Sequence, residues 1–326
     1  MTEMTHPQML ARPTQIAIKP MILDAAYEAP DAVVEAIFRT GPHRNLFAAE
    51  GLAQGDHPPC FRGYWSERPG SIQSEDLLPF KNNPIFIEAA KTAYNAKVVR
   101  PERLIVNLNI PGPAQPAHMD FPTLRGIGSR PTWLTVIMGV SKLFLPWEVQ
   151  IASALTWFYK GEGGEFRFWP DGPDKPAIEV KGPFWNKGLV CDNEYTFHQA
   201  CATGRRDAYL PPGSVSEDCT LGWTGVSWDL YDQGRPVATY PFEAVRLLTL
   251  WKGHVFEDER AAQVFDEHLD DLDHGKIVKI FAEDLRKRGY RFEEPSDPLN
   301  DPAWKQLLVG AYPLPPPPTD HQPIIR

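Results

Sequence analysis

No Cys-x-x-Cys pair, no long apolar run and no basic tract occurs in this 326-residue chain. The first absence removes the usual spacing of a structural zinc site. Four cysteines (Cys60, Cys191, Cys201, Cys219) in so long a chain also do not make a disulfide framework. Cys191, His198 and Cys201 lie near one another in sequence, but without a close cysteine pair they do not read as zinc ligands. The second absence excludes a transmembrane helix. Residues 1–15 are polar with scattered proline and lack the apolar centre of a secretory signal, so a cytoplasmic protein with reduced thiols is expected. With a net charge of −9 and no run of Lys or Arg to follow a phosphate backbone, nucleic acid is not an expected partner.

What the chain does have is apolar and aromatic mass. A hydrophobic content of 42% supports a substantial core, and ten Trp, ten Tyr and seventeen Phe fit a strand-rich fold or an aromatic-lined pocket.

The stretch Pro113-Ala114-Gln115-Pro116-Ala117-His118-Met119-Asp120-Phe121-Pro122 organises the rest. Each proline lacks an N–H and pushes its predecessor toward extended geometry, so no continuous helix forms here. On an extended segment, side chains two apart share a face, and His118 and Asp120 can reach one metal. His198, from a distant strand, would complete a set of two histidines and one carboxylate, the facial triad of non-haem iron sites. The chain carries its own control: His268-Leu269-Asp270 repeats the spacing within residues 258–272, where apolar residues recur at helical intervals. Residues two apart on a helix face nearly opposite ways, so that pair cannot chelate one ion.

In chain order, residues 32–38 and 85–96 read as helices, the second after Asn83-Pro84. Residues 104–110, 132–140, 143–148, 150–159, 165–169, 177–180, 188–191, 196–200 and 222–230 read as short strands separated by Gly- and Pro-rich turns. Such a series argues for a sandwich or jelly-roll barrel. After Tyr240, residues 242–256, 258–272 and 275–288 read as helices, and Pro313 to Pro318 reads as an extended tail. The expected fold is therefore mainly β with flanking helices: a jelly-roll (double-stranded β-helix) core over 103–235, an N-terminal helical and loop segment over 1–102 packed on it, and a C-terminal helical extension with a Pro-rich tail over 236–326.

The order of segments is His118-Met119-Asp120, a strand to Tyr159, the turn Gly163-Gly164-Glu165, His198 and then Gly204-Arg205-Arg206. Over residues 104–230 it resembles the iron(II)/2-oxoglutarate-dependent dioxygenases, especially their prolyl-hydroxylase-like branch. The resemblance implies Fe(II) held by His118, Asp120 and His198, with 2-oxoglutarate and O2 as co-substrates. The far carboxylate of 2-oxoglutarate would pair with a basic residue soon after the second histidine. Arg206 matches that position, with Arg205 as its alternative, since the planar guanidinium fork makes two charge-assisted bonds to a carboxylate. Tyr159, Asn107 and Asn109 would add hydrogen bonds. A carboxylate at 120, where related halogenases carry a small residue, favours hydroxylation or another oxidation.

The expected substrate is a small molecule, an amino acid or a natural-product intermediate. Arg125 is a candidate for a substrate carboxylate and Trp133 for an apolar wall. The helices after Tyr240 would cover the site or form the contact of a homodimer. A cupin-like iron oxygenase without 2-oxoglutarate and a non-catalytic jelly-roll binding protein are the competing readings.

Overall fold

The computed structural model describes residues 18, 20–50, 58–67, 70–126 and 130–321. Residues 1–17, including the whole of the stretch read above as lacking a signal pattern, lie outside them. Fourteen strands are described: β1 (Met21–Leu23), β2 (His43–Asn45), β3 (Cys60–Ser66), β4 (Val98–Asn109), β5 (Thr123–Leu124), β6 (Glu148–Tyr159), β7 (Phe166–Trp169), β8 (Ile178–Val180), β9 (Phe184–Cys191), β10 (Phe197–Ala200), β11 (Thr220–Trp223), β12 (Ser227–Asp232), β13 (Arg235–Pro241) and β14 (Arg246–Phe256). They form two sheets. The larger runs β1-β9-β6-β14-β4-β3-β2-β11-β12-β13, and the smaller runs β10-β7-β8.

Residues 112–118 lie antiparallel to the chain at and beyond β10, through isolated bridges Gly112–Thr203 and His118–His198. This segment acts as a fourth lane of the small sheet. From β4 onward the chain alternates between sheets: β4 in the large one, 112–118 in the small, β6 large, β7 and β8 small, β9 large, β10 small, β14 large. That path is a jelly roll. An apolar layer that includes Leu155, Trp157, Phe166, Phe168, Leu248 and Leu250 fills the space between the sheets.

The outer face of the large sheet is covered by the helices Pro30–Arg39 and Pro84–Tyr94, whose Val33, Ile37, Phe86 and Ala90 join Leu247, Trp251 and Val255 in one core. Pro opens both helices, where its missing N–H leaves no bond unmade. The side chain of Asn83 accepts a hydrogen bond from the N–H of Ile85. The N-terminal segment supplies these helices and also strands β1, β2 and β3.

Three expectations need correction. Residues 242–256 are not a helix: a short 3-10 turn leads into β14, which pairs with β4 on one side and β6 on the other. Both faces of β14 are buried, so its apolar residues run on without alternating, and the strand period is hidden. The core consequently extends to Phe256, and the boundary expected at 235 falls at the first residue of β13. Conversely, Thr132–Ser141 is a helix, not a strand. Its β-branched composition favours a strand, but Leu134, Ile137 and Met138 recur at helical spacing and pack on the C-terminal helices His274–Lys287 and Pro302–Ala311. Finally, Leu145–Trp147 is a 3-10 turn within the stretch read as a strand over 143–148.

The C-terminal helices bury their apolar faces against Thr132–Ser141, within the chain itself. Among the described residues no helix is long and apolar enough to cross a membrane.

Candidate metal centre

Prolines at 111, 113 and 116 break the regular ladder that residues 112–118 would otherwise make with β10. What survives is a reciprocal pair between Gly112 and Thr203 at 2.9 and 3.0 Å, a single bond from Gln115 N–H to Ala200 O at 2.9 Å, and a second reciprocal pair between His118 and His198 at 3.0 and 2.8 Å. That last pair puts the two histidines directly opposite one another, with ring centroids 4.4 Å apart. One residue beyond Met119, the Asp120 N–H donates to Asn193 O at 2.7 Å, which turns its carboxylate toward the same place.

Each imidazole is oriented by its own backbone. His118 Nδ1 faces Pro116 O at 2.9 Å and His198 Nδ1 faces Thr196 O at 3.1 Å. A carbonyl only accepts, so each Nδ1 carries the hydrogen and each Nε2 is left with a lone pair. His198 Nε2 lies 3.9 Å from Asp120 Oδ1, and one ligand atom from each of the three residues fits within 4.8 Å of the others. Among the described residues this is the one group of His, Cys, Asp or Glu so arranged. Burial, followed by the neighbouring His118, pushes His198 down to about 4, which keeps it neutral and ready to ligate. The control pair stays apart, but not for the reason expected: the helix read over 258–272 ends at Asp266, and His268 lies in the turn beyond it at φ +54°, its side chain 75% exposed and bonded to Asp271.

Lys252 on β14 was not anticipated. Its Nζ donates to Asp120 Oδ2 at 2.7 Å and to Glu194 Oε1 at 2.9 Å. Burial alone would raise the Asp120 carboxyl, but the ammonium of Lys252, ahead of the two histidines, outweighs it and holds Asp120 well below the ordinary carboxylate range. Glu194 goes the other way. Burial pushes it up to about 8 against the pull of Lys252, with Asp192 and Asp120 adding to the rise, and its Oε2 has no hydrogen-bond partner.

Arg205 and Arg206 are not brought to this space. Both are exposed, and Arg205 makes a two-point pair with Asp207 at 3.2 and 2.9 Å. Arg246 occupies the interior instead. It opens β14, is 1% exposed, and lies on the inter-sheet face with Leu248 and Leu250. Its guanidinium stands 5.8 Å from the Trp157 ring centroid. Arg246 Nε and Nη2 and Trp157 Nε1 are all buried without a hydrogen-bond partner. Burial pushes Arg246 down only to about 10, so it remains a cation at neutral pH. Three unmet donors at a buried cation are satisfied best by an anion.

The Gly163-Gly164 turn closes over this end. A Cβ at Gly164, whose φ is +79°, would sit 2.9 Å from Tyr159 Cε1 and 3.1 Å from Arg246 Cδ. Tyr159 is buried here, its hydroxyl donating to Glu162 O at 2.7 Å and accepting from Gly204 N–H at 3.1 Å, so it ties the turn to the loop after β10. Asn107 Oδ1 accepts from Arg62 Nε at 2.8 Å, and Asn109 donates to Cys60 Sγ at 3.3 Å.

Two further expectations fall away. Arg125 is engaged by Asp270 through Nε and Nη2 at 2.8 and 2.7 Å, and by Pro146 O at 2.6 Å, so it clamps a loop. Trp133 packs with the C-terminal helical cluster, 5.7 Å from Lys305 Nζ.

No family model matches the sequence, and no curated protein matches it. Solved structures with a similar chain path include a 2OG-Fe(II) oxygenase family oxidoreductase from Burkholderia pseudomallei. It is 11% identical over 78% of this chain and 92% of that chain, with a TM-score of 0.41. Another is a Trichoplax adhaerens prolyl hydroxylase in complex with a peptide fragment, 10% identical over 75% and 86%, TM-score 0.40. HygX from Streptomyces hygroscopicus with nickel, 2-oxoglutarate and hygromycin B bound is 10% identical over 73% and 83%, TM-score 0.38. At these values the likeness transfers no residue role.

Proposed function

We propose that this chain is a non-haem Fe(II)/2-oxoglutarate-dependent oxygenase that hydroxylates or otherwise oxidises a small molecule. The observation that carries this reading is the convergence of two Nε2 lone pairs and one carboxylate, His118, His198 and Asp120, at one rim of a jelly roll. Three ligands on one side of an ion leave its other positions for substrate chemistry. Arg246 supports the same reading, because a buried cation with unmet donors suits the far carboxylate of a keto acid.

His118 and His198 would hold Fe(II) through Nε2, and Asp120 through a carboxylate oxygen. Arg246 would take the distal carboxylate of 2-oxoglutarate through Nε and Nη2, with Trp157 Nε1 as an added donor. The apolar side chains between the sheets, Leu250 and Phe168 among them, keep water from this layer. Lys252 holds Asp120 in position through Oδ2. Iron bound there with 2-oxoglutarate and O2 supplies the oxidising power, the keto acid leaving as succinate and CO2.

Anaerobic visible absorption tests this directly. Fe(II) followed by 2-oxoglutarate should give a weak charge-transfer band that needs both additions and is lost in His118→Ala. Iron binding without a band overturns the 2-oxoglutarate assignment in favour of an iron oxygenase of another kind. No iron binding overturns the enzyme reading and leaves a binding module.

A further inference from the structure

A cavity of about 250 Å³ lies between residues 119–122 and the helix Thr132–Ser141, and the C-terminal tail crosses it through Leu314 and Pro315. The crossing segment is stiff. Five of the six residues from Pro313 to Pro318 are proline, so φ is fixed and no N–H is offered over most of its length. An extended rod of this kind rises about 3.1 Å per residue and makes no internal hydrogen bonds. Among the described residues, no hydrogen bond joins 313–319 to the body of the protein, so the middle of the rod is held by apolar contact alone.

Both ends, by contrast, are fixed. At the near end Trp304, Leu308 and Tyr312 are buried in the C-terminal helical cluster, and the Tyr312 hydroxyl donates to Asp284 at 2.6 Å. At the far end Asp320 accepts from Trp169 Nε1 at 2.6 Å through one carboxylate oxygen and from the Ala177 N–H at 3.1 Å through the other, while its carbonyl accepts from Arg167 at 3.2 Å. The two bonds to the carboxylate are charge-assisted. A stiff rod with one hinge and one polar catch moves as a unit.

The catch is built on the strands that carry a metal-side histidine. In the pairing of β7 with β10, Trp169 stands opposite Phe197, and the next pair along is Phe168 with His198. Phe197 and Asp120 both line the cavity under the rod.

We propose that residues 313–321 are a gate: hinged at Tyr312 and caught at Asp320, the rod covers the cavity when the catch is made and swings off it when the Asp320 bonds break. The gating follows from the attachment alone; its role in admitting a substrate rests on the iron and 2-oxoglutarate reading.

Thiol labelling of the full chain reads the gate without metal or substrate. Val140→Cys places a thiol in the cavity wall, and the four native cysteines are buried. Its reaction with a bulky aromatic disulfide, dithiobis-nitrobenzoate, should be slow while the rod is caught. Adding Asp320→Ala should speed it by roughly tenfold or more, because two charge-assisted hydrogen bonds leave the closed state. Asp320→Asn keeps an acceptor without the charge and should fall between. Thr319→Ala, beside the catch but outside its bonds, should label at the rate of Val140→Cys alone. Equal rates with and without Asp320→Ala, or Thr319→Ala labelling as fast as Asp320→Ala, would overturn the gate. Faster labelling of the native cysteines in Asp320→Ala would overturn it too, since the body and not the rod would then have loosened. The iron–keto-acid band, measured on the same proteins, keeps the two readings apart. A band with ungated labelling removes this proposal alone, and gated labelling without a band removes the oxygenase reading alone.

Discussion

Lys252 Nζ lies 2.7 Å from Asp120 Oδ2, and the two residues stand 132 positions apart in sequence. The pair joins the last core strand to the segment that carries the metal-side carboxylate. Glu194, at 2.9 Å from the same ammonium, makes it a buried triad of two acids and one base. Removing one member of such a group leaves an uncompensated charge, which costs far more than the intact pair contributes. Lys252→Met should lower the stability of metal-free protein by about 3–5 kcal/mol. The double variant Lys252→Met/Asp120→Asn should recover much of that loss, because it removes the carboxylate that Lys252→Met leaves unpaired. Urea melts of the three proteins check this; additive losses would show that the triad is not energetically coupled.

Arg246 sets a prediction of opposite sign. Its guanidinium is buried without bonds to Nε and Nη2, so it destabilises the protein that lacks an anion. Arg246→Leu should hold or raise the melting temperature of the free protein while weakening 2-oxoglutarate binding by roughly 100-fold or more. Fe(II) binding should survive. Arg205→Ala and Arg206→Ala, at exposed positions, should change co-substrate binding little. Calorimetric titration of Fe(II)-loaded protein with 2-oxoglutarate reads all three, and equal losses at 205 or 206 would contradict the assignment.

Acid should unfold the metal-free protein through its buried histidines. Burial pushes His43, His198 and His254 down to about 4. In the unfolded chain a histidine takes up its proton near 6.5, so between about 6.5 and 4 the unfolded state binds more protons than the folded one. Stability is then full above that window and falls as pH drops through it. His254 packs edge-on against Phe265 at 4.9 Å, away from the metal side chains, and His254→Leu should flatten part of the slope. Urea midpoints at pH 7, 5.5 and 4.5 measure it; a variant with the same slope would exclude His254 as a contributor.

The convergence of His118 and Asp120 on one face was legible because proline punctuation is local. Three prolines around His118 and Asp120 exclude a helix whatever the rest of the chain does, and the spacing then has one structural meaning. The fold class was legible from many short strands with turn residues between them. Arg246 was hidden because β14 is buried on both faces: Val245, Leu247, Leu248, Leu250 and Trp251 show no alternation, and a lone arginine at the head of an apolar run is uninformative until the run is known to be a strand. Thr132–Ser141 failed in the reverse direction. Its Thr, Trp, Val and Ile favour a strand, and only packing on helices more than 130 residues later makes it helical. Lys252 and Glu194 were out of reach for the same reason, since a buried charge triad is defined by which strands meet.

Gly164 offers the sharpest check on how the inter-sheet anion site is shaped. Its φ of +79° is strained for any side chain, and a methyl group there would press on the Tyr159 ring at 2.9 Å and on Arg246 Cδ at 3.1 Å. Both neighbours are held: Tyr159 by its two hydroxyl bonds to the turn, Arg246 by the packing between sheets. Gly164→Ala should therefore cost about 1–3 kcal/mol from the backbone alone. It should also displace the guanidinium and weaken 2-oxoglutarate binding without touching His118, Asp120 or His198. Fe(II) affinity equal to wild type, with a weakened keto-acid band, is the expected signature. An unchanged band at a lowered melting temperature would mean that Arg246 does not shape the co-substrate site, and the distal carboxylate would have to be sought on another strand.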